Sequence, residues 1–114
     1  MNQLSGVARR RVLGHFLRAQ RERLTAADVG LPVGARRRTP GLRREEVAQL
    51  SNISVTWYIW IEQGRDVSVS AVALARLAVA LQLTRPQRAY LFDLAARRDP
   101  EQFAPGSEAI SATV

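Results

Sequence analysis

Arginine side chains supply most of the binding chemistry in this 114-residue sequence. All seventeen basic residues are arginine, and eleven of them lie within residues 1–44, which carry a net charge of +9. Residues 45–114 carry a net charge of −2. Guanidinium groups bind phosphate and guanine through paired hydrogen bonds, so the N-terminal part of the chain is suited to a polyanion. The exclusive use of arginine also fits a GC-rich genome, and both interpretations stay open.

The sequence contains no set of residues suited to catalysis. His15 is the only histidine and there is no cysteine. A catalytic triad needs a base beside a nucleophile, and a metal site needs several ligands at set spacing. We therefore expect no enzymatic activity, no metal and no cofactor. Because no apolar run approaches the roughly 18 residues that span a bilayer, and no secretory signal begins the chain, we also expect a soluble, cytoplasmic protein with no membrane partner.

Two short helices joined by a turn are predicted in the middle of the chain. Glu45 and Glu46 begin the first helix, where acidic side chains oppose the positive end of the helix dipole. Asn52 tolerates a left-handed backbone in the turn, and Ser54 can cap the helix that follows. Gly64 ends that second helix. These are the parts of a helix-turn-helix.

The remaining segments predict three further helices around this pair. Residues 5–24 place apolar side chains at helical spacing, with arginines on the other face. Ser70 begins a helix with a predicted buried stripe that includes Val72 and Leu74, and Thr84 begins another. We therefore predict an all-α, five-helix domain. The predicted boundaries are 1–98 for the domain, 43–63 for the helix-turn-helix proper, 25–41 for a basic loop, and 99–114 for a disordered tail or truncated linker.

The chain resembles the lambda-repressor-like helix-turn-helix family of Cro/C1 or XRE type. The matching residues are Leu17, Arg18 and Arg21 in the first helix, Glu45 to Ala48 in the second, Ile53 and Ser54 in the turn, Ile61, Glu62 and Gly64 in the third, and Leu77 to Leu81 in the fourth. The string RRRTPGLRREEVAQL, followed by SVTWYIWIEQGRDV, is similar to the MmyB-like subgroup. Two departures are Asn52, where the family usually has Gly, and Arg44, where it tends to have Gln.

The resemblance implies several features of structure and assembly. Arg44 would contact a DNA phosphate with its charge, and Arg18 would pair with Glu62 as a structural ion pair. The family usually binds double-stranded DNA as a homodimer. We expect the fourth and fifth helices to form the contact surface, with docking of a C-terminal domain as the alternative role for these helices. MmyB-like proteins carry a larger C-terminal ligand-binding domain, so the chain is either a fragment of a longer regulator or a short relative. A small-molecule ligand is expected only if such a domain exists.

The second helix of the pair is the predicted reading element. Helical spacing and the family pattern send Tyr58 and Ile61 into the core. Two interpretations stay open for Trp57 and Trp60. Either these side chains are exposed on the helix surface, or they pack under the loop of residues 25–41. The residues predicted to contact DNA are Arg36, Arg37, Arg38, Arg44, Ser54, Val55, Thr56, Ile59, Trp60 and Arg65.

The leading hypothesis is a sequence-specific, DNA-binding transcriptional regulator that is associated with the nucleoid. Apolar side chains on the second helix would contact thymine methyl groups in the major groove, and arginines would bind phosphates or the minor groove. The alternative is a protein-interaction or antitoxin-like module that uses the same fold. Salt-dependent DNA binding distinguishes the two hypotheses.

Overall fold

The computed structural model describes residues 5–31 and 41–101, and every regular element in these two stretches is helical. None of these helices is both long and apolar enough to cross a membrane. The predicted all-α fold of five helices is confirmed. The elements are α1 (Gly6–Arg23), a 3-10 turn (Ala27–Val29), α2 (Arg44–Ser51), α3 (Val55–Glu62), α4 (Ala71–Ala80) and α5 (Arg85–Leu94).

Hydroxyl side chains immediately before α1, α3, α4 and α5 explain where these helices begin. A hydroxyl oxygen accepts a hydrogen bond from the backbone N–H three residues later at Ser5, Ser54, Ser70 and Thr84. Such caps satisfy one of the backbone donors that a helix start leaves unpaired. At the start of α2 the donor and acceptor positions are exchanged. The backbone N–H of Arg43, before the helix, donates to the carboxylate of Glu46, three residues later, at 2.8 Å.

Left-handed residues end α2 and turn the chain after α3. Asn52 has a φ of 55°, and the Ile53 N–H donates to the Ala48 carbonyl at 3.0 Å. Gly64 has a φ of 77°, just beyond the last residue of α3. Asn and Gly tolerate this backbone conformation better than other residues. The predicted left-handed conformation of Asn52 is therefore confirmed.

The core lies where α1 packs against α3 and α5, and where α2 packs against α3 and α4. Gly14 allows α1 to approach α3 closely, because a Cβ there would lie 2.3 Å from the Glu62 carbonyl oxygen. Helix α4 buries Leu74 and Leu77, but Val72 is 57% exposed, so its predicted burial is wrong. Val72 lies on the solvent face that Val79 shares, seven residues along the same helix.

Asp99, the residue after the predicted domain boundary at residue 98, contacts α5. Asp99 is only 6% exposed. It accepts hydrogen bonds from Nε and Nη2 of Arg88 at 2.7 and 3.0 Å. This two-point contact joins α5 to the segment that follows it.

Candidate nucleic-acid interface

One face of α3 is anchored in the core. Tyr58 is fully buried and Ile61 is 2% exposed, as the helical spacing predicts. Residues 52–54 form the short turn from α2, and α2 itself packs against α3. The anchored face therefore holds α3 in one orientation relative to α2.

The opposite face of α3 presents apolar side chains to solvent. Val55 is 38% exposed and Trp60 is 37% exposed. Thr56 is also exposed, whereas Ile59 is half-buried. Of the four α3 side chains predicted to contact DNA, three are thus exposed and the fourth is partly covered. Large exposed apolar groups clustered on one short helix are typical of a binding surface.

Trp57 is half-buried and packs against the hydrophobic core. Its indole N–H donates to the carbonyl of Ser68, at 2.9 Å, in the connection between α3 and α4. The sequence left open whether Trp57 lies on the exposed face or packs under the 25–41 loop. The described contact is with the α3–α4 connection, and it makes Trp57 part of the packing.

The Arg65 side chain lies over the aromatic ring of Trp60. The Arg65 guanidinium carbon lies 5.6 Å from the centre of the Trp60 ring, within the range of a cation–π contact. The Arg65 backbone N–H also donates to the Trp60 carbonyl at 3.0 Å. Two residues predicted to contact DNA therefore form a single apolar and cationic unit at the end of α3.

The carboxylate of Glu62 joins three elements. Arg21 of α1 donates to it through Nε at 2.7 Å and through Nη2 at 3.1 Å. Arg44 of α2 donates through Nε at 3.0 Å, and the Tyr58 hydroxyl donates at 2.5 Å. The Glu62 side chain is only 3% exposed. The cluster of Arg21, Arg44, Tyr58 and Glu62, called the Glu62 cluster below, fixes α1 and α2 to the end of α3.

The structure corrects the predicted pair of Arg18 and Glu62. Arg18 points into solvent and pairs with Glu22, one turn along the same helix, at 3.1 Å. Arg21 takes the predicted role, because it lies on the buried face of α1 with Leu13 and Leu17. The spacing of these three residues, four positions apart, is the sequence signal that would have placed Arg21 on the buried face of α1.

The contacts within the Glu62 cluster shift the pKa values of Glu62, Arg21 and Tyr58. Burial by itself raises the pKa of Glu62, but hydrogen bonds from Arg21 and Tyr58 and the positive charge of Arg21 outweigh it and hold the pKa below its usual range. Burial lowers the pKa of Arg21, and the Glu62 carboxylate more than reverses that effect. Burial and the Glu62 charge raise the pKa of Tyr58. Glu62 therefore stays ionised inside the fold at neutral pH.

The predicted phosphate-binding arginines fall into two groups. Arg44 begins α2 with its side chain 45% exposed while its Nε bonds Glu62. It therefore belongs both to the Glu62 cluster and to the surface at the start of α2. Arg36, Arg37 and Arg38 lie outside the described residues. In the stretches that are described, no group of three or more His, Cys, Asp or Glu side chains is placed to hold a metal ion.

A helix anchored through a short turn, with an exposed face beside arginines, defines the helix-turn-helix class of DNA-binding domains. Comparison with protein families matches residues 12–91 to the family described as "Helix-turn-helix domain". The match covers most of the chain, and the protein belongs to that family. No curated protein and no solved structure matches the chain.

Proposed function

We propose that the protein is a sequence-specific transcriptional regulator that inserts residues 54–62 into the major groove of double-stranded DNA. The observation that carries the proposal is the exposure of Val55 and Trp60 on the face of α3 opposite its buried side. Thymine methyl groups in the major groove accept apolar contacts of this kind. Thr56, which is exposed between them, has a hydroxyl for a base edge or a phosphate.

Few polar groups on α3 are free to form hydrogen bonds with bases. The Ser54 hydroxyl oxygen accepts from the Trp57 backbone N–H and keeps its O–H to donate, whereas the Trp57 indole N–H already donates to Ser68. Direct hydrogen bonding is therefore left mainly to Ser54, Thr56 and Arg65. We expect the remaining specificity to come from apolar contacts and from DNA shape.

Arginines before and at the start of α2 are proposed to hold the DNA backbone. Arg43 is exposed, and Arg44 beside it is partly exposed. The loop arginines Arg36, Arg37 and Arg38 are assigned to phosphates or to a narrow minor groove from their place in the sequence. Each neutralised phosphate releases counterions, so binding should weaken steeply with salt.

We also propose that the protein is a cytoplasmic, nucleoid-associated homodimer of the XRE type, in the MmyB-like subgroup. Exposed apolar side chains on α4 and α5 support a contact surface there, since Val72 is 57%, Val79 71% and Tyr90 45% exposed. Two copies would then present their α3 helices to half-sites about one helical turn apart.

Titration of DNA binding with salt tests the proposal. We expect affinity for genomic duplex fragments, measured by fluorescence anisotropy, to fall by roughly three orders of magnitude between about 50 and 200 mM salt if about six phosphates are neutralised. Arg43→Gln should reduce the logarithmic slope by about one. Arg85→Gln, which alters an exposed arginine at the start of α5, is the matched control and should leave the slope unchanged.

Two results would contradict the proposal. Absence of binding to any genomic fragment at low salt would leave the protein-interaction or antitoxin-like alternative. Equal slopes for the wild type and Arg43→Gln would remove Arg43 from the DNA backbone contact.

A further inference from the structure

A pocket of about 180 Å³ lies between the first turns of α1, the connection after α3 and the end of α5. Its apolar lining includes Leu13 of α1, Ile61 of α3 and Leu94 of α5. The exposed face of α3 does not form this pocket, since Ile61 belongs to the buried face of that helix. The pocket is therefore separate from the proposed DNA-contacting side chains Val55 and Thr56.

The polar part of the lining is strongly basic. Arg9, Arg10, Arg65 and Arg97 line the pocket against the single carboxylate of Asp66. Asp66 neutralises little of this charge, because its side chain is 85% exposed and lies 3.9 Å from the Arg10 guanidinium. An apolar floor with a basic edge selects for an anion that also has an apolar part.

Arg10 adds an independent observation. Its Nε atom is buried and has no hydrogen-bond partner within the described residues. A buried donor without an acceptor is costly, and a carboxylate brought into the pocket would supply acceptors for the Arg10 side chain. Arg97 is held in place by the hydrogen bond from its Nε to the Val69 carbonyl at 2.7 Å, so the basic edge is partly preorganised.

We propose that this pocket binds a small carboxylate with a compact apolar body, such as an aryl or branched-chain acid. The volume is close to that of an engineered cavity of about 150 Å³ that holds benzene, so it accommodates one ring but not a long acyl chain. From the sequence, a ligand was expected only in a separate C-terminal domain, whereas this site lies within the helical domain.

The pocket also connects to the proposed DNA-contacting surface. Arg65 lines the pocket and at the same time lies over the Trp60 ring. A bound carboxylate competes with that ring for the Arg65 guanidinium. Ligand binding should therefore change the environment of Trp60 and, if the proposed DNA-binding function holds, the affinity for DNA.

The test uses phenylacetate as the probe and the full chain without DNA, so its outcome does not depend on the proposed function. Backbone amide NMR shifts and tryptophan fluorescence are followed as phenylacetate is added. We expect saturable shifts at Gly6, Val67 and Ala95, with a Kd in the millimolar range for a ligand of about ten non-hydrogen atoms. Arg10→Gln should weaken binding by about fivefold or more, whereas Arg11→Gln, an exposed neighbour outside the pocket, should not.

Two control compounds separate the contributions of charge and apolar contact. Acetate and 2-phenylethanol should each bind much more weakly than phenylacetate. Equal shifts with acetate would overturn the assigned apolar contact, and equal shifts with 2-phenylethanol would overturn the role of the arginines. Absence of saturable shifts with phenylacetate, or shifts of these residues only when a DNA duplex is added, would overturn the site itself.

Discussion

Glu62 is the residue on which the geometry of α3 depends most directly. Its carboxylate is almost fully buried and accepts hydrogen bonds from side chains of α1, α2 and α3 itself. A buried carboxylate is costly unless its oxygens are paired with donors. Each donor in the Glu62 cluster therefore stabilises both the charge and the position of the helix that carries the donor.

Removal of Arg21 should be far more damaging than removal of Arg18. Arg21→Ala takes away the two-point partner of a buried carboxylate, so we expect a loss of about 3 kcal/mol in the free energy of unfolding. Arg18→Ala breaks only an exposed pair within one helix and should cost about 0.5 kcal/mol or less. Urea denaturation of both variants measures the difference. Similar losses for the two variants would show that the Arg21 contact is not structural.

The lowered pKa of Glu62 gives stability a defined dependence on pH. The carboxylate contributes fully above its unfolded pKa of about 4.3, and the contribution is lost as pH falls through the lower folded value. The stability difference between wild type and Glu62→Gln should therefore be constant from about pH 7 to 5 and should shrink below about pH 4.

Urea denaturation at each pH gives the required free energies. A wild-type advantage over Glu62→Gln that grows toward acidic pH would contradict the account, because it would mean that the folded state holds Glu62 in its neutral form.

At the scale of elements, the close approach of α1 and α3 depends on Gly14. Gly14→Ala improves helix propensity but places a methyl group against the Glu62 backbone, so we expect a net destabilisation of about 1–3 kcal/mol. Gly6→Ala is a matched control in the same helix, where the added Cβ meets only the end of the Arg10 side chain at 3.2 Å. Thermal unfolding should show a lowered Tm for Gly14→Ala and little change for Gly6→Ala.

The stability of Gly14→Ala relative to Gly6→Ala also shows what would contradict this role of Gly14. A Gly14→Ala variant as stable as Gly6→Ala would show that α1 and α3 can separate without cost. The Glu62 cluster would then not be the rigid connection between them.

The features that the sequence predicted correctly are mostly local. Helix starts follow from Ser54, Ser70 and Thr84, and the α2–α3 turn follows from Asn52, because caps and left-handed residues act over three or four positions. The partner of Glu62 and the exposure of Val72 depend on how separate helices pack. Helical spacing places Arg21 on the buried face of α1, but only packing identifies which carboxylate it meets.

The candidate interface was predictable to a lesser degree. Amphipathic spacing correctly separated Tyr58 and Ile61 from the exposed residues of α3. It did not predict that the Trp57 indole bonds the Ser68 carbonyl or that Arg65 covers Trp60, because both contacts depend on the path of the chain after α3. The pocket beside Arg10 combines residues from both ends of the described chain, and no local pattern marks it.

At the scale of the whole molecule, the positive charge and the exposed apolar side chains of α3 lie in different parts of the chain. The net charge of +9 lies in residues 1–44, whereas the exposed apolar residues Val55 and Trp60 lie on α3. In the proposed complex, charge would attract DNA of any sequence and give a salt-dependent affinity, whereas contacts from α3 would distinguish one sequence from another. We propose that α3 distinguishes sequences largely through apolar contact.

Selection of bound sequences from random duplex DNA tests that claim most directly, with the wild type compared with Trp60→Ala, Arg36→Ala and the exposed control Val7→Ala. We predict that the wild type and Val7→Ala enrich the same motif, and that Arg36→Ala retains the motif with uniformly weaker binding. Trp60→Ala should lose preference at one or two positions, where thymine is expected. An unchanged motif for a folded Trp60→Ala variant, or no enriched motif for the wild type, would contradict the account.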